Sequence, residues 1–381
     1  MNNNQIPNGI LKKLERREKE SSLRDLSLPK AGVDFFSNDY LGFAKNKKIY
    51  TEASAKLEQK DLPLNSSTGS RLLSGNSILH QEVEKQIAQF HQAESALLFN
   101  SGYDANLGFF SSVPQRGDVI FYDEHIHASI RDGLNLSLAT SYKYQHNNLS
   151  DLKQKVARQN ITGNIFVVTE SVFSMDGDTP DLEELVQFCE DNGVFLVVDE
   201  AHAIGVFGEK GEGLLQDKNL HSQIFARIIT FGKGLGAHGA VVLGSEVLKK
   251  YLINFARSLI YTTSISPHAV ATISSAYHEL LNTSAIEMLK QNICYFKNQL
   301  DVLELASYFN KSDSAIQSCI ISGNHRVKLV AERLQQQNFL VKAILSPTVP
   351  KGKERLRFCL HSYNTEEEIF SVLQLLSEAI K

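Results

Sequence analysis

Cysteine is scarce in this 381-residue chain, and the four present (Cys189, Cys294, Cys319 and Cys359) are widely spaced with no CxxC pair. That spacing excludes a disulfide framework or a paired-cysteine zinc site and reads as buried free thiols. Charge of one sign is scarce as well. A formal net charge of −4 leaves no electrostatic footprint for nucleic acid or an anionic membrane. The basic run Lys12–Lys13–Leu14–Glu15–Arg16–Arg17 is interrupted by an acid and reads as a solvated helix face. No apolar stretch reaches bilayer length. The opening MNNNQIPNGILKK has no apolar signal core, so the expected location is cytoplasmic. What remains is an ordinary globular composition, 42% hydrophobic and 22% charged, in a chain long enough for two domains.

A polar helix is expected over Ile10 to Leu26, ahead of Pro29 and Gly32, as an arm that must lie on the body or on a partner. Asp34–Gly42 reads as a short strand entering a turn. From about residue 78 helical and extended patterns alternate. Leu79, Val83, Ile87 and Phe90 share one helical face. Ala96–Phe99, Val119–Tyr122, Ile165–Thr169, Phe195–Asp199, Arg227–Phe231 and Ala240–Gly244 read as buried strands. Thr179 is the expected N-cap of a helix with Pro180 in its first turn, closed by Gly193. The rhythm implies an α/β domain with a mainly parallel sheet covered by helices on both faces. Ligand chemistry then belongs at the strands' carboxyl ends. A linking helix near Ser266 to Leu281 leads to a smaller mixed unit with short strands at Ala315–Ile321 and Leu356–Leu360. The expected divisions are residues 1–45 (arm and helix), 46–280 (large domain) and 281–381 (small domain).

Two strand ends carry the chemistry. Phe195–Asp199 ends in a carboxylate, with His202 three positions on. Such a carboxylate could bind a metal, orient a base or cap a helix. Arg227–Phe231 runs into Gly232–Lys233–Gly234–Leu235–Gly236. Glycines permit close backbone approach, and a lysine of depressed pKa can form an imine. Pyridoxal phosphate asks for a lysine at its aldehyde and an anion at its ring nitrogen. Lys233 and Asp199 supply both, and His202 is within reach of the ring oxygen. Two nucleotide-binding readings fail on context. Gly234–Gly239 matches GxGxxG but precedes the strand-like Ala240–Leu243 rather than a helix. Lys233 is followed by glycine, not Ser or Thr, and Arg227 stands where a P-loop needs its first glycine.

A phosphate cradle is expected where Phe99–Asn106 leaves a strand and enters a helix over Ala105 to Ser111, with Ser101, Gly102 and Tyr103 as contributors. The hydroxyls of Ser174 and Thr230 are further candidates, though each could be a turn or cap. His125 and His127 would share a face on a strand, but no third ligand supports a metal. Stacking of His127 on a cofactor ring is the better reading.

Six blocks occur in order: SNDYLG (37–42), TGSRLLSGN (68–76), TESVFSMDGD (169–178), VDEAHAIGVFGEKGEG (198–213), TFGKGLG (230–236) and PTVP (347–350). Together they resemble the α-oxoamine synthases, a group of fold-type-I pyridoxal-phosphate enzymes, from about Phe36 to Leu375. The resemblance implies a large, mainly parallel-sheet domain with a smaller C-terminal α/β domain, and pyridoxal 5′-phosphate as cofactor. It implies that Lys233 holds the cofactor and removes the amino acid's Cα proton, and that His127 stacks on the ring. Asp199 would pair with the ring nitrogen and His202 with the ring oxygen. Gly102, Tyr103, Ser174 and Thr230 would hold chiefly the phosphate end, with Thr262 and Thr263 reaching the neighbouring subunit's phosphate in a homodimer. Asn38 and Arg357 would hold the substrate carboxylate, the latter through a planar guanidinium suited to bidentate contact. Arg24 and Thr348 match further substrate positions. SGN at 74–76, Gln145–Leu152 and PTVP favour the branch that condenses L-alanine with a pimeloyl thioester of CoA or a carrier protein. Sister synthases, such as a glycine C-acetyltransferase or one using a longer acyl chain, are the alternatives, ahead of a catalytically silent cofactor binder. One departure stands out: Asn65–Ser66–Ser67–Thr68 replaces a glycine-richer loop at the family's acyl-chain entrance.

Overall fold

The computed structural model describes residues 6–26, 28 and 31–380. They fall into two compact units. The larger comprises Asn38–Ser174 and Asp178–Lys290. The smaller is built from the N-terminal segment up to Ser37, Met175–Gly177 and the chain from Gln291 onward.

A seven-stranded sheet organises the larger unit. Its strands are β1 (Ser95–Phe99), β2 (Val119–Asp123), β3 (Thr140–Tyr144), β4 (Ile165–Glu170), β5 (Phe195–Asp199), β6 (Ala226–Thr230) and β7 (Ala240–Gly244), in the spatial order β1-β7-β6-β5-β4-β2-β3. Only β7 runs against the others. The central strands are apolar almost throughout because helices cover both faces. Phe99, Ile120, Val168, Val197 and Ile228 form one core with Phe109 and Ile130 from the flanking helices. Each such side chain contributes roughly 1.5–3 kcal/mol of burial.

All six expected strands are present, and β3 is additional. Its side chains are exposed except Tyr144, so it carries no apolar signature. Several helix ends differ from expectation. The N-terminal helix is Asn8–Lys19 and stops well before Leu26. Ser21 takes a positive φ of 50°, and Ser22 N–H folds back to Arg17 O at 2.8 Å. Pro29 lies outside the described residues. The helix expected from Thr179 is Leu182–Asp191, capped by Asp181, whose carboxylate accepts from Glu184 N–H at 3.0 Å. A carboxylate at that position also favours the helix dipole, which leaves Thr179 and Pro180 in the preceding loop. The helix expected from Ala105 begins at Gly102 because Ser101 caps it through Asp104 N–H.

Behind the sheet's carboxyl edge lies a buried ion pair. Arg227 on β6 meets Glu200, the residue after β5, at 2.7 Å, with both side chains at or below 3% exposure. Glu200 also accepts from Leu215 N–H at 3.0 Å. Removing one partner strands the other charge. Glu200→Leu should therefore cost roughly 3–5 kcal/mol in urea unfolding, and Glu200→Leu/Arg227→Met distinctly less.

In the smaller unit a three-stranded antiparallel sheet has the order Lys342–Ile344, Arg355–Cys359, Ile316–Ile320. Val33–Asp34 pairs in parallel with Phe339–Leu340. Asp176 pairs with Arg355.

Candidate active site

The carboxyl ends of β1, β2, β4, β5 and β6 open on one edge of the large sheet, and the expected residues of that unit cluster there. Lys233 sits in the reversal between β6 and β7, which is closed by Ala237 N–H to Phe231 O and Gly236 N–H to Lys233 O, both 2.9 Å. Gly234 is needed at this point: a Cβ would stand 2.4 Å from the Ile204 carbonyl oxygen. That backbone approach brings Lys233 to the loop after β5, where its Nζ lies 2.7 Å from His202 Nε2. His202 Nδ1 is 2.7 Å from the Tyr40 hydroxyl, and Tyr40 donates to Asn38 Oδ1 at 3.3 Å. With Tyr40 donating to Asn38, a consistent arrangement has His202 Nδ1–H donating to Tyr40 and Lys233 donating to His202 Nε2. His202 and Tyr40 are buried and Lys233 half-buried.

Asp199, the last residue of β5, is 6% exposed. Its Oδ1 accepts from Ala201 N–H and its Oδ2 from Asn106 Nδ2, both at 2.9 Å. No ion pair among the described residues reaches it. Glu170, its register partner on β4, accepts His127 N–H at 2.6 Å. Burial, and then the Asp199 charge, push the Glu170 carboxyl up to about 8. The strand face that His125 and His127 would have shared does not form: β2 ends at Asp123, and His127 caps the helix Ala128–Leu136. Desolvation lowers its pKa despite the opposing Asp199 charge.

The cradle is laid out at the end of β1. Gly102 opens its helix where a Cβ would sit 3.3 Å from Thr230 Cβ and 3.4 Å from its Oγ1. A side chain there would fill the space between the helix amides and the threonine hydroxyl. Tyr103 is exposed and its hydroxyl donates to Asp132. Asn100 Nδ2 donates to Thr262 Oγ1 at 3.3 Å and Thr263 O at 2.8 Å. These residues fit pyridoxal phosphate on three counts: a buried carboxylate in no ion pair among the described residues, an accessible lysine, and a helix start with hydroxyls beside it.

His146 locks the neighbouring loop. Its Nδ1 meets Asp123 at 2.9 Å and its Nε2 meets Asp178 at 2.8 Å, and its ring stacks on His125 with centroids 4.0 Å apart. Burial alone would favour neutrality. The hydrogen bonds and charges of Asp123 and Asp178 outweigh it and push His146 up to about 10. Its stabilising charge is complete below about pH 6.5 and is lost as pH climbs from there through about 10. The stability gap between wild type and His146→Gln should thus shrink by roughly 2–4 kcal/mol from pH 6.5 to 10.5, read by urea unfolding at each pH.

In the smaller unit, Arg24 Nη2 donates to Thr348 Oγ1 at 3.4 Å, so two expected substrate residues are neighbours. Arg357 is 6% exposed on its strand, its Nη1 2.9 Å from Cys359 Sγ. Ser174 ends a segment of the larger unit. Sequence reasoning missed Tyr40, Asn106, Ser129 and Glu170. Tyr40 and Glu170 lie inside the SNDYLG and TESVFSMDGD blocks; Asn106 and Ser129 carry no motif signal.

The chain belongs to the aminotransferase class I and II family, whose pattern matches residues 30–375, and its fold is the fold-type-I arrangement of the α-oxoamine synthases. It is 42% identical to the 8-amino-7-oxononanoate synthase of Emericella nidulans, an alignment covering 96% of this chain and 93% of that protein. The enzyme of the same name from Lysinibacillus sphaericus is 35% identical, with 90% and 87% covered. Among solved structures, Sphingomonas wittichii serine palmitoyltransferase superposes with a TM-score of 0.88 at 25% identity, covering 98% and 96%. The 8-amino-7-oxononanoate synthase of Francisella tularensis superposes at 0.77 and 30% identity, covering 91% and 97%.

Proposed function

We propose that this enzyme condenses L-alanine with a pimeloyl thioester, on CoA or a carrier protein, to give 8-amino-7-oxononanoate, carbon dioxide and free thiol, a step of biotin synthesis. One observation carries the reading: Lys233, His202, Asp199 and His127 converge on one sheet edge in a chain 42% identical, nearly end to end, to an 8-amino-7-oxononanoate synthase. A serine palmitoyltransferase of the same fold binds pyridoxal phosphate, and the cofactor here is the same. When bound, it supplies an aldehyde for an amino group and a ring that accepts the electron pair of a breaking Cα bond.

The chain's residues do the rest. Lys233 holds the cofactor and takes the Cα proton of alanine. Asp199, kept as an acceptor by Asn106 and Ala201, holds the ring nitrogen protonated. His202 reaches the ring oxygen, and its contact with Lys233 aims the amine. His127 covers one ring face. Ser101, Gly102, Tyr103, Ser174 and Thr230 hold the phosphate end. Arg357 and Asn38 would each hold the alanine carboxylate, and the hold would serve to orient the Cα–H bond for proton removal rather than to add affinity. Arg24 and Thr348 contact the acyl substrate. Alanine's Cα forms the new bond to the acyl carbon as the thiol leaves; the carboxyl departs as carbon dioxide and a proton returns to Cα. Thr262 and Thr263 complete the phosphate site of a second copy in a cytoplasmic homodimer. Support for this comes from Tyr261, 73% exposed beside them, and from Leu73, 82% exposed on the segment whose Gly69 carbonyl accepts Ser264 N–H.

A panel of glycine, alanine and serine against acetyl-, pimeloyl- and palmitoyl-thioesters tests the reading through carbon dioxide release. L-alanine with the pimeloyl thioester should be the fastest pair. Glycine with acetyl-CoA leading would overturn the substrate assignment, and serine with the palmitoyl thioester leading would move the activity to that of the serine palmitoyltransferase neighbours.

A further inference from the structure

A single buried amide joins the two groups expected on the ring. Asn106, on the helix Gly102–Ser112, is 2% exposed, and Ser129 is fully buried. The helices carrying them pack so closely that a Cβ on Gly133 would stand 2.9 Å from the Asn106 carbonyl oxygen. Asn106 Nδ2 spends one N–H on Asp199 Oδ2 at 2.9 Å and the other on Ser129 Oγ at 3.0 Å. Ser129 Oγ in turn lies 2.8 Å from His127 Nδ1, which also accepts Ser129 N–H at 3.2 Å. Asn106 Oδ1 is buried with no partner among the described residues. Turned over, the amide would set that oxygen against the Asp199 carboxylate, acceptor on acceptor, so its orientation is determined.

We propose that Asn106 is a positioning residue whose two N–H bonds hold Asp199 as an acceptor-only carboxylate and, through the Ser129 hydroxyl, hold His127 as the neutral Nε2–H tautomer. The directions follow from donor arithmetic. Ser129 Oγ accepts from Asn106, which leaves its hydroxyl proton to donate to Nδ1 at 2.8 Å. The Ser129 backbone N–H, at 3.2 Å, is the weaker of the two donors that keep Nδ1 unprotonated, and it is the one Ser129→Ala retains. An unmet buried acceptor is costly, and Asn106 tolerates one at Oδ1 because both N–H groups are engaged. The inference rests on the proposed cofactor site: a neutral His127 lies against a cationic ring without repulsion, and Asp199 offers that ring an undivided negative charge.

Histidine labelled with ¹³C and ¹⁵N, observed by NMR in cofactor-free and cofactor-loaded protein, reports the tautomer directly; the His127 signal is the one lost in His127→Asn. Wild type should show the neutral Nε2–H form at pH 7. Ser129→Ala should give His127 a clear Nδ1–H population while changing the pyridoxal-phosphate dissociation constant less than about threefold. Asn106→Leu should shift the tautomer in the same way and raise that constant on the order of ten- to hundredfold. Ser129→Ala with His127 still wholly in the Nε2–H form would overturn the proposal, as would folded Asn106→Leu binding the cofactor like wild type. If Asn106→Leu does not fold, the Ser129→Ala spectrum decides. Failure of wild type to bind pyridoxal phosphate would instead sink the cofactor assignment, leaving the tautomer result to stand by itself.

Discussion

Lys233→Ala should abolish condensation, lowering turnover by at least about 10³–10⁴-fold, while the unfolding midpoint barely moves. The reason is that one amine performs two tasks, covalent anchorage and proton removal, and the second alone is worth roughly 10²–10⁴-fold. Structural cost is small because Lys233 is half-buried in a loop whose closure depends on backbone bonds at Phe231, Lys233 and Ala237. Borohydride treatment of wild type should fix the cofactor to the peptide containing Lys233, as read by mass spectrometry. Label on another peptide, or none, would refute the assignment.

Asp199→Ala should be the next most damaging change, on the order of 10²–10⁴-fold in turnover, against roughly tenfold for His202→Ala. Asp199 is the carboxylate aimed by two N–H donors at the strand end, and without its charge the ring loses its reason to stay protonated. His202 tunes an oxygen and orients the Lys233 amine, without carrying the charge on which the ring depends. A second readout is independent of turnover. Burial and then Asp199 hold the Glu170 pKa near 8, so removing the Asp199 charge should let Glu170 ionise at lower pH. An infrared carboxylate titration would show it. Equal and mild effects of the two substitutions would contradict the division of labour between Asp199 and His202.

Much of this was legible in the sequence because two strand ends carry unusual residues after ordinary apolar runs. Phe195–Asp199 formed over the expected residues, and the glycine–lysine–glycine turn led into β7 rather than a helix. What was hidden has physical causes. Thr140–Tyr144 is an edge strand facing outward, so it lacks the apolar alternation that betrays a strand. The helix after β4 starts at Leu182 because the Asp181 carboxylate, not Thr179, caps it. Asn106 and Ser129 sit inside helices as ordinary polar letters, and only the packing of those helices turns them into one network.

β1 occupies a sheet edge, and its one strand neighbour is β7, whose residues follow some hundred and forty positions later in the chain. During synthesis the ribosome delivers the phosphate cradle early, yet the strand that anchors it must wait until Gly244 has emerged. Such long-range closure is slow, and until it occurs the ladder groups of β1 lack their strand partner, an unpaired apolar edge of the kind that is prone to associate. Cofactor capture is therefore a late event, timed by the same closure that delivers the lysine.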